Sequence, residues 1–223
     1  PRVPHHVCHR VVAGGSAFVD AADHEAFISA LRSCSAEHGV TVLAYALLSQ
    51  QVQLILMPDR AEALGRMMQA LTRQYVGPFN RKHARAGALW QSRFSSAPLQ
   101  ASLHLLDCVV YVEQAPQRSG FAGAAFEYPW SSACHHAGLR SERWLAAMPP
   151  DSAYWKLGNT PFERDAAYRH LLERPMSLAQ VQRIESTVLK GWALGSGEFL
   201  AEIGASTGRR PCPAPRGRPP LGR

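Results

Sequence analysis

The feature that most constrains the fold is a pair of apolar runs between Thr41 and Met57, which a short polar turn separates. Two apolar runs of strand length joined by such a turn are typical of a buried β-hairpin. Residues two apart on a strand lie on the same face of a sheet, so Gln51, Gln53 and Ile55 share one face. We therefore predict two amide side chains side by side at the start of a core strand. On spacing alone, a position at the sheet margin with hydrogen bonds to water or a loop accounts for them.

The segments around this hairpin alternate between strand and helix patterns. Apolar residues at helical spacing behind a capping Asp predict helices, and β-branched alternation predicts strands. The predicted elements are a strand over 4–12, a helix from Asp20 or Asp23 to Gly39, a helix from its cap Asp59 to Phe79, a strand over 94–99 and a helix over 101–114. His5 and His9 share a face of the first strand. With no acidic or cysteine partner on that face, we interpret them as partly exposed strand residues rather than metal ligands.

The positive charge of the chain is concentrated in two segments. The whole chain carries a formal net charge of +7, from 24 basic and 17 acidic residues. Residues 60–93 contain seven basic residues and one acidic residue, and residues 204–223 contain five basic residues and no acidic one. This distribution is typical of a polyanion-binding surface, so nucleic acid is the first partner to consider. A solvated helix face is the alternative for the internal segment.

Candidate nucleic-acid contacts lie in the internal basic segment. Arg66 and Arg73 are seven residues apart, so a helix holds them on one exposed side. Trp90 and Arg93 combine an aromatic ring with an arginine, which suits base stacking together with phosphate contact. A strand edge in the core accounts for the aromatic residue equally well. The full set of candidates in this segment is Arg66, Arg73, Arg81, Lys82, Arg85, Trp90 and Arg93.

Composition limits the classes of protein to which the chain can belong. Its 223 residues and 46% hydrophobic content allow one ordinary domain with an extension and a real core. No apolar run approaches the roughly 20 residues of a membrane-spanning helix, and the N-terminus lacks a signal-peptide pattern. We therefore expect a cytoplasmic protein without membrane association. The five cysteines are scattered without a C-x-x-C pair, which favours reduced thiols, mostly in the core.

Five sequence blocks keep a recognisable order and spacing between Ala44 and Ser132. They are residues 44–56, 75–81, 89–94, 111–116 and 128–132. Together they resemble the IS200-like tyrosine transposases, in particular the branch associated with repetitive extragenic palindromes (REP). The resemblance implies an α+β fold with a ferredoxin-like core, in which a four-stranded antiparallel sheet carries helices on one face.

The resemblance also implies a chemistry, in which a helix-borne tyrosine attacks a phosphodiester of single-stranded DNA. The matching position is Tyr111, which would become a 5′-phosphotyrosine and leave a free 3′-OH. In such proteins a His-hydrophobic-His pair on the central strand and a polar residue on the tyrosine helix hold a divalent cation. Here the corresponding positions are Gln51, Gln53 and Ala115.

This departure puts the metal site in doubt, because a carboxamide oxygen is a weak neutral ligand compared with an imidazole nitrogen. Two glutamines and no carboxylate would hold Mg²⁺ or Mn²⁺ poorly, so we predict that the nuclease centre is degenerate. Rescue of the site by His9 or His104 is an alternative. The change from His to Gln keeps hydrogen-bonding capacity, so the fold should survive loss of the metal.

Three segments divide the chain in this interpretation. Residues 1–135 form the transposase-like domain, residues 136–203 a helical extension and residues 204–223 a disordered tail rich in Arg and Pro. The extension is either a structural lid or a second DNA contact such as a helix-turn-helix, and its mixed charges favour the lid. In the tail, Arg216 and Arg218 belong to a Gly-Arg-Pro element similar to an AT-hook, which inserts arginine into narrow minor grooves. A purely solvating tail is the alternative.

The sequence therefore favours a transposase-like protein that binds hairpin or single-stranded DNA without efficient cleavage. An active, metal-dependent nickase that acts through Tyr111 is the second reading, with Mg²⁺ or Mn²⁺ as its cofactor. An RNA-binding protein on the same sheet is the third, because stacking aromatics and basic surfaces suit both nucleic acids.

Overall fold

Four strands and eight helices make up residues 2–213, the part of the chain that the computed structural model describes. In chain order they are β1 (His5–Arg10), α1 (Ala21–His38), β2 (Val40–Leu48), β3 (Gln51–Pro58), α2 (Ala63–Lys82), β4 (Ser95–Pro98), α3 (Ala101–Glu113), α4 (Ala115–Arg118), α5 (Ala133–His136), α6 (Pro161–Glu173), α7 (Leu178–Lys190) and α8 (Gly197–Thr207). The strands form one sheet in the order β2-β3-β1-β4, and all neighbours are antiparallel. This order is ferredoxin-like and confirms the predicted α+β fold class.

The two apolar runs form the hairpin of β2 and β3, as predicted. Nearly every residue of β2 is buried. In a strand with one solvated face, buried and exposed residues would alternate instead. Tyr45 and Leu47 belong to the hydrophobic cluster on one side of the sheet, and Ala44 and Ala46 belong to the cluster on the other. A continuous apolar strand is the sequence signature of a sheet that is covered on both faces.

Helices cover both faces of the sheet. We call the side that packs against α1 and α2 the first face, and the side that packs against α3 the second face. The expectation of helices on one face was therefore wrong. The physical reason is that β3 presents Val52 and Leu54 to the first face and Ile55 to the second, so both sides carry apolar surface that must be buried.

The helix start at Asp20 was predicted correctly, whereas the start at Asp59 was wrong. The Asp20 carboxylate accepts a hydrogen bond from the Asp23 N–H at 3.0 Å, and the Asp23 carboxylate accepts one from the Asp20 N–H at 3.3 Å. This reciprocal pair satisfies donors that a helix start otherwise leaves free. By contrast, α2 begins at Ala63 behind Glu62, which makes no side-chain capping bond. The Asp59 N–H instead donates to the carbonyl of Gly39 at the end of α1.

A buried carboxylate at the end of α3 connects α5 and α6 to the second face. Glu113, at the end of α3, is fully buried. It accepts hydrogen bonds from Ser132 at 2.5 Å, His136 at 2.6 Å and Tyr168 at 2.6 Å. Three donors satisfy the lone pairs of this carboxylate, as burial of a charge requires. The contacts join α3 to α5 and α6, and α7 lies nearby against β4 and β1.

The last described residues differ from the predicted tail. Helix α8 continues to Thr207, beyond the expected boundary at 203, and the Ala193 N–H donates to the carbonyl of Pro211 at 2.7 Å. The prediction of a disordered tail with an AT-hook at Arg216 and Arg218 falls on residues that lie outside the described part of the chain.

Two further findings concern membrane-spanning helices and the state of the cysteines. Among residues 2–213, no helix is long and apolar enough to cross a membrane. All five cysteines lie in this range as free thiols, and Cys8, Cys34 and Cys108 are buried, as predicted for thiols that fill the core.

Candidate functional site

Tyr111, the predicted nucleophile, lies on α3 and faces the second side of the sheet. Its ring contacts the ring of His6 on β1 edge to face, with 5.5 Å between the ring centroids. The guanidinium of Arg118 lies over the Tyr111 ring, with its Cζ 4.1 Å from the ring centroid. The Arg118 Nη2 also donates to the Tyr111 carbonyl at 2.6 Å. Tyr111 is only 5% exposed, so it is held inside a cluster rather than presented to solvent.

The protonation state of Tyr111 follows from this burial. Desolvation raises the pKa of the phenol above its usual value, because burial disfavours the charged phenolate. The nearby cation of Arg118 lowers the pKa and offsets part of this effect. Tyr111 is therefore a neutral phenol at physiological pH.

His6 connects Tyr111 to the central strand β3. It is 1% exposed, and its Nε2 lies 3.1 Å from Oε1 of Gln53. Burial lowers the pKa of His6 to about 4, so the imidazole is neutral at pH 7. Because a carboxamide oxygen only accepts, Nε2 must carry the proton and donate. Nδ1 is then an unprotonated acceptor, and it has no hydrogen-bond partner within residues 2–213.

Gln51 and Gln53 share one strand face, as the spacing predicted, and this is the second face, where Tyr111 lies. Gln53 is 3% exposed and bonded to His6, so a position at the sheet margin was wrong for it. Gln51 is half-buried nearer the strand end, and its Oε1 accepts a weak bond from the Cys8 thiol at 3.7 Å. His6 and Cys8 are two residues apart on β1, so they lie on the same face of the sheet.

The donor set around Tyr111 does not fit a Mg²⁺ or Mn²⁺ site. The Gln53 oxygen is already engaged by His6, and Ala115 at the start of α4 is a buried methyl group that offers no donor. Hard divalent cations prefer several oxygen ligands with carboxylates among them. The carboxylate whose charge reaches Tyr111 is that of Glu185, and it is paired with Arg10 at 3.3 Å. Tyr111 and Arg118 themselves contribute a neutral phenol and a cation.

Rescue by His9 is also excluded by geometry. His9 belongs to the opposite strand face and stacks on Trp90, with 4.1 Å between ring centroids. Its Nε2 lies 3.0 Å from the Ser92 carbonyl. The histidine beside Tyr111 is instead His6. Alternation along the first strand could have identified it, because His6 and Cys8 lie on the face that His5 and His9 do not.

Four of the predicted nucleic-acid contacts are exposed arginines. Arg66 and Arg73 lie on α2, Arg81 lies in its last turn and Arg93 lies just before β4. Because α2 packs on the first face, Arg66 and Arg73 are on the other side of the sheet from Tyr111. The structure therefore does not bring these basic residues and Tyr111 into one site.

The remaining three candidates of this segment are engaged within the protein. The Lys82 ammonium bonds the carboxylates of Asp20 and Asp23 at 2.7 and 2.8 Å. Arg85 is half-buried beside Phe79. Trp90 is 8% exposed, because its pairing with Val11 extends the sheet and turns the ring into the core. Its stacking partner is His9, so Trp90 is a core residue and not an exposed stacking platform.

Comparison with solved structures supports the fold. A REP-associated tyrosine transposase bound to a REP hairpin matches with a TM-score of 0.53 and 13% identity, over 66% of this chain and 87% of that one. A candidate transposase from Deinococcus radiodurans R1 matches with a TM-score of 0.38 and 14% identity, over 54% of this chain and 86% of that one. No protein-family model and no curated protein sequence matches the chain. The first structural match confirms the transposase-like fold that the sequence blocks predicted.

Proposed function

We propose that this protein binds hairpin or single-stranded DNA on a transposase-like frame, and that its nuclease centre no longer carries out metal-dependent cleavage. The observation that carries the proposal is the bond between Gln53 and His6 beside Tyr111. A tyrosine remains at the nucleophile position implied by the resemblance. The strand residues that face it offer weak carboxamide oxygens, one of which is already engaged.

DNA binding is supported by the fold and by the distribution of charge. A REP-associated tyrosine transposase of similar fold is bound to a REP hairpin. In the present chain Arg66, Arg73, Arg81 and Arg93 are exposed, and none of them forms an ion pair within residues 2–213. Arginines that are free of internal partners can contact phosphates, and such contacts make affinity strongly dependent on salt.

Loss of cleavage is supported by the state of Tyr111. Attack by a tyrosine on phosphorus requires the phenol to lose its proton, and burial raises the pKa of Tyr111. A divalent cation would polarise the phosphate and stabilise the developing charge. The donors around Tyr111 do not fit such an ion, and Arg118 is the single cation over its ring. We therefore expect tight binding without efficient strand cleavage.

The experiment is incubation of the purified protein with a labelled hairpin DNA that carries single-stranded extensions, in Mg²⁺, in Mn²⁺ and in EDTA. Denaturing gels detect a covalent protein-DNA product, and filter binding at several salt concentrations detects association. Tyr111→Phe is the matched variant, because it removes only the hydroxyl group. We expect salt-sensitive binding that is the same in both proteins, and no covalent product.

Two outcomes would redirect the proposal. A metal-dependent covalent band that disappears in Tyr111→Phe would mean that the protein is an active nickase whose ligands differ from those of its relatives. Stronger binding to the RNA version of the same hairpin would favour an RNA-binding protein on this sheet.

A further inference from the structure

A cleft of about 400 Å³ lies beside β2, the outer strand of the sheet, away from Tyr111. The segment that follows α4 runs along β2, where the Leu47 N–H donates to the Trp130 carbonyl and the Ser132 N–H donates to the Tyr45 carbonyl, both at 3.0 Å. The cleft opens between this segment and α1. Its wall consists of aromatic and basic side chains, chiefly Arg32, Tyr45, Trp130, Arg140, Arg143 and Trp144.

The two tryptophans give the cleft flat apolar walls. One side of the Trp130 ring stacks on His24, with 4.5 Å between the ring centroids and 9° between the planes. Trp144 packs against Tyr45 at 5.5 Å, and the Arg32 guanidinium carbon lies 5.9 Å from the Trp144 ring centroid. Both tryptophans are half-buried, so their rings are fixed by packing while part of each remains accessible.

One carboxylate holds this wall in place. The Glu142 side chain is 11% exposed and accepts hydrogen bonds from the Tyr45 hydroxyl at 2.9 Å and the Trp144 Nε1 at 3.1 Å. It also pairs with Arg140. A carboxylate with these three partners sets the orientation of the indole before any ligand arrives, which lowers the entropic cost of binding.

The remaining charge of the cleft is positive and unpaired. Glu142 neutralises one of the three arginines, which leaves two. Arg32 and Arg143 are exposed and form neither an ion pair nor a side-chain hydrogen bond within residues 2–213. Planar aromatic surfaces next to free guanidinium groups suit an unpaired nucleobase and its phosphate, because every base has a stacking face.

We propose that this cleft binds an unpaired nucleotide of the DNA strand, with the base against Trp130 or Trp144 and the phosphate on Arg32 and Arg143. This inference rests on the proposed function, because it assigns a subsite for the same DNA. The cleft walls belong to the first face of the sheet, whereas Tyr111 lies on the second. The nucleotide bound here is therefore one that Tyr111 does not contact.

The test compares two hairpins of identical stem, one blunt and one with a single-stranded extension, by fluorescence anisotropy at fixed salt. In Arg32→Ala/Arg143→Ala we expect affinity for the extended hairpin to fall about tenfold and affinity for the blunt hairpin to stay unchanged. Both arginines are exposed, so the variant should fold. The control is Arg174→Ala, which removes an exposed arginine outside the cleft and should change neither affinity.

Photocrosslinking gives a second readout. With 5-iodo-deoxyuridine in the extension, we expect irradiation to join the DNA to a peptide that contains Trp130 or Trp144. If the wild-type protein binds DNA, but the double variant binds the extended hairpin as tightly as the wild type does and the crosslink lies elsewhere, the cleft assignment is overturned and the proposed function stays intact. Wild-type protein that binds neither hairpin would refute the proposed function itself. Preference of the cleft for an RNA extension would overturn its assignment to DNA.

Discussion

His6 and Gln53 form a buried hydrogen bond between the two central strands, with 3.1 Å between Nε2 and Oε1. Each residue lies in a different strand, and Cys8 rather than His6 is the direct cross-strand partner of Gln53. The bond therefore runs diagonally across the second face, beneath the ring of Tyr111. The carboxamide of Gln53 satisfies a buried imidazole at a position where the resemblance implies a metal ligand.

This bond predicts unequal roles for the two glutamines. Replacement of Gln53 by Ala leaves the buried N–H of His6 without a partner, which costs about 1–3 kcal/mol of stability. Gln51→Ala removes a half-buried side chain whose one hydrogen bond is a weak thiol contact, and should cost less than about 1 kcal/mol. Urea denaturation of the two variants measures the difference. Equal losses would mean that the His6 contact contributes nothing to stability.

The buried histidine also predicts acid sensitivity. The pKa of His6 is about 4 in the folded protein, below its ordinary value of 6.5, because burial disfavours the cation. Between these two values the unfolded chain binds a proton that the folded chain does not, so stability falls as pH decreases from 6.5 towards 4. One pKa unit corresponds to about 1.4 kcal/mol, which gives an upper limit of roughly 3.5 kcal/mol for this residue.

Denaturation at pH 7.5 and pH 5 measures this effect. His6→Leu should be less stable at pH 7.5, yet its stability should change less between the two pH values. Other buried histidines, such as His9 with a pKa of about 4, will retain part of the slope. An unchanged slope in His6→Leu would show that His6 does not contribute to the acid response.

The hydrogen-bonded carboxylate of Glu113 predicts a large effect on folding. Glu113→Ala leaves the donors of His136 and Tyr168 without an acceptor and removes the shorter of the two bonds open to the Ser132 hydroxyl, and should destabilise the protein by about 3–5 kcal/mol. Tyr168→Phe removes one hydroxyl and should cost about 1–2 kcal/mol. Thermal unfolding measures both variants. If Glu113→Ala is as stable as Tyr168→Phe, the Glu113 carboxylate does not hold α5 and α6 against α3.

The sequence was sufficient for the features that depend on local pattern. The buried hairpin follows from its two apolar runs, the shared face of Gln51 and Gln53 follows from strand periodicity, and the Asp20 cap follows from helix chemistry. The neighbours of Tyr111 could not be obtained in this way. The contact with His6 depends on the register between β1 and β3, which is set by packing rather than by either strand. Arg118 was missed because the sequence predicts the helix only as far as residue 114, although α4 carries the chain on for one further turn.

The misassigned residues of the basic segment lead to a prediction about DNA affinity. Arg66→Ala/Arg73→Ala should weaken DNA binding and lower the steepness of its salt dependence, because the proposed function assigns a phosphate contact to each of these arginines. Lys82→Ala should leave affinity nearly unchanged, since its charge is already paired with Asp20 and Asp23. Affinity titrations at several salt concentrations distinguish the two variants. Equal weakening in both would mean that Lys82 leaves its acidic partners to contact DNA.

The final prediction concerns restoration of a metal site. Gln51 and Gln53 lie two residues apart on one strand face, so Gln51→His/Gln53→His would present two imidazoles towards Tyr111. Imidazole nitrogen binds Mn²⁺ more strongly than a carboxamide oxygen does. A ligand at about 100 times its Kd stabilises a protein by about 2.7 kcal/mol. We therefore expect Mn²⁺ to raise the Tm of the double variant by about 5 °C or more, and EDTA to reverse the increase.

The wild-type protein and Gln51→Asn/Gln53→Asn are the controls for this experiment, because both keep carboxamides on the same strand face. Neither should respond to Mn²⁺. If the wild-type Tm rose as much as that of the double variant, the native residues around Tyr111 would already hold the ion, with His6 Nδ1 as the first donor to examine. A response confined to the double variant would instead show that two substitutions on β3 are enough to create a metal site, without any change in the sheet.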